Sequence, residues 1–257
     1  MPDPIYTATN CNPAYQLNWA LTVFWNEAIK SAPWLDSLQA ASEPDGVRIL
    51  KHRFPKPGIS QFFISTKPEI APQDFARSVK GRLQYLIREE VPKAFRRHYA
   101  FHSVGSATRD HVENYVADQL GHHRMAEPAV QQRLEDYQYQ DRKVDLSAMK
   151  NSGHSSYWYN LHIVFVQEFR YMEIREDRLK AIRDMTIQSS KKHRRPLSHA
   201  SVLPDHVHLV VGCDVKESPA EVALSYMNNI AYALGMQAVF RYSYYVGTIG
   251  EYDRGAV

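Results

Sequence analysis

The chain predicts an α+β fold: two ferredoxin-like βαββαβ units, each an antiparallel sheet with helices on one face, related by a pseudo-two-fold. Three observations predict it. One order of elements occurs twice within 257 residues, the same punctuating residues recur in both copies, and their spacing is nearly constant. Asn18 returns as Asn160, 142 positions on; Pro72 returns as Pro219, 147 on; Gly105 returns as Gly250, 145 on. Offsets this uniform across several elements mark an internal duplication.

In the first copy, Tyr15 to Glu27 is aromatic and β-branched and reads as a strand. Ala32 to Ala41 follows as a short helix. Val47 to Phe54 and Ile59 to Thr66 form two strands around a turn rich in Pro and Gly. Pro72 opens a helix that runs to about Glu90, at a position where its missing N–H costs little. Tyr99 to Val104 is a further strand, closed by Gly105. The second copy repeats the order: strand Tyr157 to Phe169, helix Glu176 to Ser189, strands Leu197 to Leu203 and His206 to Cys213, helix Pro219 to Leu234, strand Tyr244 to Ile249, then Gly250. Along Glu176 to Ser189, Leu179, Ile182 and Met185 or Thr186 share one face. These readings divide the chain into residues 1–126, a polar linker 127–156 and residues 157–257. The symmetry fails at one element. After Gly105 a further helix, Arg109 to His122, carries Val112, Val116 and Leu120 on a stripe, whereas only Glu251 to Val257 follow Gly250.

Composition sets the outer bounds. Hydrophobic residues make up 44% and charged residues 23%, an ordinary globular mix that argues against disorder. No apolar run approaches the ~20 residues a membrane helix needs. Met1 to Ala8 shows no basic region followed by an apolar core, as a secretory signal would. Cys11 and Cys213 stand far apart, which makes a reducing cytoplasm the expected location. The net charge of +3 does not decide whether nucleic acid is a partner, but its distribution is uneven. Lys191, Lys192, Arg194 and Arg195 form a compact run with His193, preceded by Arg170, Arg175, Arg178, Lys180 and Arg183. It reads either as a solvated helix face or as a phosphate-contacting patch. Lys80, Arg82 and Arg88 on the long first-copy helix, with Arg96 and Arg97 after it, make a second candidate patch.

The chemistry sits in two fragments. His206-Val207-His208 lies on a predicted strand, so its two imidazoles share one face and could bind one divalent metal. The alternative is a pair of ordinary strand histidines. Asp205, just before them, could orient an imidazole. Tyr115 and Gln119 stand at i and i+4 on the extra first-copy helix and leave the same side of it. A tyrosine can be a nucleophile toward phosphate, and glutamine a neutral oxygen ligand. The alternative is an ordinary amphipathic face. His122 and His123 follow this helix, and Tyr252 lies in the tail after Gly250.

Taken together, these pieces resemble the single-tyrosine HUH transposases, the insertion-sequence and REP-associated enzymes. Three features carry the resemblance: His206-Val207-His208, the strand end Tyr244-Tyr245-Val246-Gly247-Thr248-Ile249-Gly250, and the helix with Tyr115 and Gln119. The departure is that each copy is incomplete. Where the second copy has its histidines, the first has Ile59-Ser60-Gln61, and the second copy lacks the tyrosine helix. Such transposases act as homodimers in which one subunit's tyrosine helix can complete the other's metal site. The resemblance therefore implies a fused pseudo-dimer with one composite active site. In it, His206, His208 and Gln119 would hold Mg²⁺ or Mn²⁺. Tyr115 would form a 5′-phosphotyrosine on single-stranded DNA, next to a hairpin bound by the basic patches. Two rival readings stay open: a catalytically inactive, domesticated DNA-binding protein, and a metal-dependent phosphodiesterase with no covalent step.

Overall fold

The computed structural model describes residues 3–122, 128–168, 173–235 and 238–255. Arg170 and His123 lie outside these residues. Two six-stranded sheets carry the fold. In the amino-terminal sheet, β2 (Asn18–Trp25) lies between β4 (Ile59–Thr66) and β5 (Phe95–Val104), with β3 (Val47–Lys56) outside β4. In the carboxy-terminal sheet, β9 (Asn160–Val166) lies between β11 (His206–Gly212) and β12 (Tyr245–Ile249), with β10 (Leu197–Val202) outside β11. Neighbours within each of these four-strand sets are antiparallel, as the βαββαβ reading requires.

Helices cover one face of each sheet. From α1 (Leu35–Ser42) and α2 (Pro72–Ile87), Leu38, Phe75, Val79 and Leu83 are buried in one core with Trp19, Phe62 and Phe101. Phe75 lies 5.2 Å from Trp19 and 5.5 Å from Phe101 between ring centroids. From α6 (Glu176–Lys192) and α7 (Pro219–Ala233), Leu179, Ile182 and Met227 pack with Val207, Leu209 and Val211. A capping box between Ser218 and Glu221 starts α7 and satisfies backbone N–H groups that a helix end leaves over.

The registers align the two copies residue by residue. Asn18 pairs with Ser65 and Val104, as Asn160 pairs with Gly212 and Ile249. Counting back along the strands, Gln61 stands where His208 does, and Ile59 where His206 does.

Each strand predicted to open a copy is two strands. At Leu17 the chain passes from β1 (Ala14–Gln16) to β2, and at Tyr159 from β8 (Ser155–Trp158) to β9. The leading piece joins the other sheet: β1 runs parallel to β12, and β8 runs parallel to β5. The segment read as a linker holds α5 (Pro128–Glu135), β6 (Gln138–Gln140) and β7 (Lys150–Ser152). Of these, β6 edges the carboxy-terminal sheet against β10, and β7 edges the amino-terminal sheet against β8. Short polar strands of this kind lack the alternation that reveals a strand, because as sheet edges they bury little.

A symmetric hydrogen-bond set closes the junction. Asn18 N donates to Thr248 Oγ1 (2.9 Å), and Asn160 N donates to Ser103 Oγ (3.2 Å). Those hydroxyls donate in turn across the junction, Thr248 to Val104 O and Ser103 to Ile249 O. The backbones approach so closely that a Cβ on Gly250 would collide with Ser103 O, and one on Gly105 would lie 2.9 Å from Thr248 O. Gly250 is therefore required by this contact rather than by a turn, whereas a Cβ on Gly105 would collide first with Ala107 O, two residues along the chain, and only then with Thr248 O.

Candidate active site

His206, His208 and Val210 alternate along β11 onto the face away from α6 and α7. The extra helix of the amino-terminal copy lies on this face as α3 (Arg109–Ala117) and α4 (Gln119–His122). Thr108 caps it, its hydroxyl accepting from His111 N. Val112 and Val116 fasten it, forming a small apolar cluster with Leu146, Val210 and Ile249. Burying each valine stabilises the arrangement by roughly 1.5–3 kcal/mol. The sequence predicts one unbroken helix over 109–122; the structure interrupts it at Asp118, whose backbone leaves the helical region. The i, i+4 relation survives the break, for Gln119 Nε2 donates to Tyr115 O at 2.9 Å.

This packing brings the two fragments together. The Tyr115 ring stands edge-on to His208, 5.7 Å between centroids, and 5.6 Å from His122. His206 and His208 are 4.9 Å apart. Tyr115 is 40% exposed, while His208 is 6% and Gln119 0% exposed, so the phenol borders solvent and the imidazoles form the floor.

Both histidines are oriented through Nδ1. His206 Nδ1 lies 2.7 Å from Asp205 Oδ1, and His208 Nδ1 lies 2.9 Å from His162 Nε2. His162, on β9, stacks on His208 with an interplanar angle of 12°. Burial lowers its pKa to about 4, which keeps it neutral at pH 7. A neutral imidazole has one donor and one acceptor nitrogen. If His208 donates from Nδ1 to His162, the lone pair of His208 is on Nε2, the nitrogen it would offer a metal.

Sequence reasoning missed His162, reading its strand as structural. The signal was available: the matching first-copy residue is Ala20, so this imidazole occurs only in the copy that keeps the His-Val-His strand. Glu113 was missed too. Its carboxylate lies 3.8 Å from His199 Nδ1 and 3.6 Å from Arg109 Nε, tying the tyrosine helix to β10.

The donor set suits a hard divalent cation. Gln119 Oε1 is buried with no hydrogen-bond partner, a cost of about 1–3 kcal/mol that a bound cation would remove. Two imidazoles and an amide oxygen match the ligand preferences of Mn²⁺ and admit Mg²⁺. Among the described residues, no group of three or more His, Cys, Asp or Glu is arranged to hold a metal.

The basic residues lie elsewhere. Lys191, Lys192 and Arg194 are exposed at the end of α6, where Pro196 O accepts from Gly212 N, the far end of β11 from His206. Arg195 corrects the expectation of a DNA contact. It is buried, paired with Glu217 at 2.6 Å and stacked over the Tyr226 ring, so its guanidinium is already committed. Arg96 and Arg97 are exposed at the start of β5, where they line a groove of about 740 Å³ with Arg77 and Lys80. Tyr252 lies on the amino-terminal sheet, 6.3 Å from His102, and not at the histidine pair.

Comparison with solved structures finds a protein of Deinococcus radiodurans R1 described as a transposase, 18% identical, with TM-score 0.33, over 40% of this chain and 86% of that one. A REP-associated tyrosine transposase bound to a REP hairpin is 12% identical, with TM-score 0.31, over 35% of this chain and 56% of that one. The chain thus spans little more than half the length of the second. No curated protein matches. Residues 155–256, from β8 through the tail beyond β12, match the family model described as "Transposase IS200 like". The family that the carboxy-terminal unit matches is therefore that of the IS200-like transposases.

Proposed function

We propose that the chain is a metal-dependent transposase that cuts and rejoins single-stranded DNA through a 5′-phosphotyrosine at one composite site. A single observation carries this reading: the tyrosine and the histidine of the expected chemistry, Tyr115 and His208, are in ring contact and come from different copies of the repeat. His206, His208 and Gln119 would hold Mg²⁺ or Mn²⁺, which when bound supplies Lewis-acid stabilisation to the scissile phosphate. Asp205 and His162 orient the two imidazoles. Tyr115 Oη attacks phosphorus; the Oη–P bond forms, the P–O3′ bond breaks, and the leaving oxygen takes a proton to become a 3′-OH. The phosphotyrosine keeps the energy of the broken ester, so a 3′-OH can reverse the step and join strands. A phenol has a pKa of roughly 10, so the proton must be drawn from Tyr115 as the bond forms. The exposed Lys191, Lys192, Arg194, Arg96 and Arg97 are proposed backbone contacts for a hairpin-bearing strand. In this reading a monomer supplies what two subunits of a symmetric dimer would share.

The test is to incubate the chain with labelled, hairpin-bearing single-stranded DNA and Mn²⁺. A denaturation-resistant adduct is expected, mapped by mass spectrometry to Tyr115 and reduced at least ~1000-fold in Tyr115→Phe. An adduct unchanged in that variant removes Tyr115 from the role. Cleavage without an adduct points to direct hydrolysis, and binding without cleavage to an inactive DNA-binding protein.

A further inference from the structure

The amino-terminal sheet has lost the residues that match the histidine pair, and among the described residues nothing like α3 covers its outer face. That face is not blank. The strands of this sheet carry seven cations and no Asp or Glu; Arg96 and Arg97 line the groove beside α2 and Lys150 Nζ donates to Cys213 O, which leaves Arg48, Lys51, Arg53 and Lys56 of β3. The strands of the carboxy-terminal sheet carry no Lys, Arg, Asp or Glu at all. The contrast cannot be a requirement of the fold, because the two sheets share register and architecture.

Strand alternation decides which of these residues face outward. Ile49 pairs with the core residue Ile64, so Lys51 and Arg53, paired beyond the β3 bulge with Phe63 and Gln61, take the opposite side. Both are exposed, and Arg53 Nε donates to Gln61 Oε1 at 2.6 Å. Rings lie across the same face in two groups. Phe24 and His98 are 6.0 Å apart; His102 lies 6.5 Å from Trp158 and 6.3 Å from Tyr252. His98 and His102 are four residues apart on β5, which separates the groups by about 13 Å. Rings set along a strand with cations beside them suit unpaired bases, which stack, and their phosphates, which pair. A duplex hides its base faces and gains only the charge term.

We infer that this outer face binds a single-stranded DNA segment, with Lys51 and Arg53 on its phosphates and the Phe24–His98 and His102–Trp158–Tyr252 groups against its bases. The inference rests on the transposase reading, in which one copy would cut the strand that the other holds. The erased site would then be a retained grip on DNA rather than a relic.

The experiment measures fluorescence anisotropy of labelled dT15 and of a 15-base-pair duplex on the whole chain without divalent metal, at several salt concentrations. The double variant Lys51→Glu/Arg53→Glu is expected to bind dT15 at least ~10-fold more weakly. The slope of log affinity against log salt should fall by about 1.4, at roughly 0.7 per single-strand phosphate contact. Equal thermal unfolding midpoints establish that these exposed substitutions leave the fold intact. On the unaltered chain, photo-crosslinking to 5-iododeoxyuridine DNA should label Trp158 or Tyr252. Unchanged dT15 affinity in the double variant, duplex binding as tight as dT15, or crosslinks confined to the carboxy-terminal sheet would overturn the inference. Tyr115→Phe separates the two claims, since it should lose the adduct yet bind dT15 within about twofold of the unaltered chain.

Discussion

The two sheets of this molecule are copies in backbone and opposites in chemistry. Both place an asparagine, Asn18 or Asn160, at the head of the central strand, and both close on a glycine pressed against the other copy. One then carries four strand histidines, His162, His199, His206 and His208, with no formally charged strand residue and a helix across its face. The other carries seven strand cations and, among the described residues, no helix like α3 across its outer face. A repeat fixes backbone through inward residues and junction contacts, which both copies must keep. The outward residues bear on no packing constraint of that kind, so one copy can specialise without disturbing its twin.

The junction is where the comparison is most fragile. Gly250→Ala forces a Cβ into Ser103 O, backbone that cannot move without separating β12 from β5. A loss of about 3 kcal/mol or more is expected in chemical denaturation, with both sheets affected together. A loss confined to the carboxy-terminal unit would show that the copies are independent. Second in size is an effect private to the amino-terminal sheet. His52 is packed among Trp34, Phe54 and Phe62, and burial lowers its pKa to about 4. Unfolded, it titrates near 6.5, so between pH 6.5 and 4 the unfolded chain binds more protons than the folded one. Its contribution is present above pH 6.5 and is lost as the pH falls toward 4. His52→Gln should make the fall in unfolding midpoint between about pH 7 and 5 shallower by about 3 °C, read by calorimetry. The smallest effect concerns the helices. Gly81, inside α2, has open space where a side-chain Cβ would stand, whereas α7 has Asn228 at the matching place. Gly81→Ala should therefore stabilise by about 0.5–1 kcal/mol, and a destabilisation would show that α2 needs the glycine for a contact.

Much of this architecture is legible in the residues, for identifiable reasons. The long strands and helices show in the periodicity, since each buries one face. The loss of the histidine pair from one copy, with Gln61 standing for His208, follows from aligning the repeats. Three things are not legible. The edge strands β6 and β7 bury too little to pattern. The exchange of β1 and β8 between sheets leaves no local mark, because each continues a strand already expected. Arg195 looks like its basic neighbours until Glu217 and Tyr226, distant in sequence, are seen around it.

By itself the sequence determined the duplication, its punctuation and the inventory of reactive side chains, because spacing and residue type are properties of the chain. Tertiary structure alone decided which groups meet. Tyr115 and His208 are joined by Val112 and Val116 settling on Val210, a contact between copies whose energy comes from burial and whose partners no local pattern names.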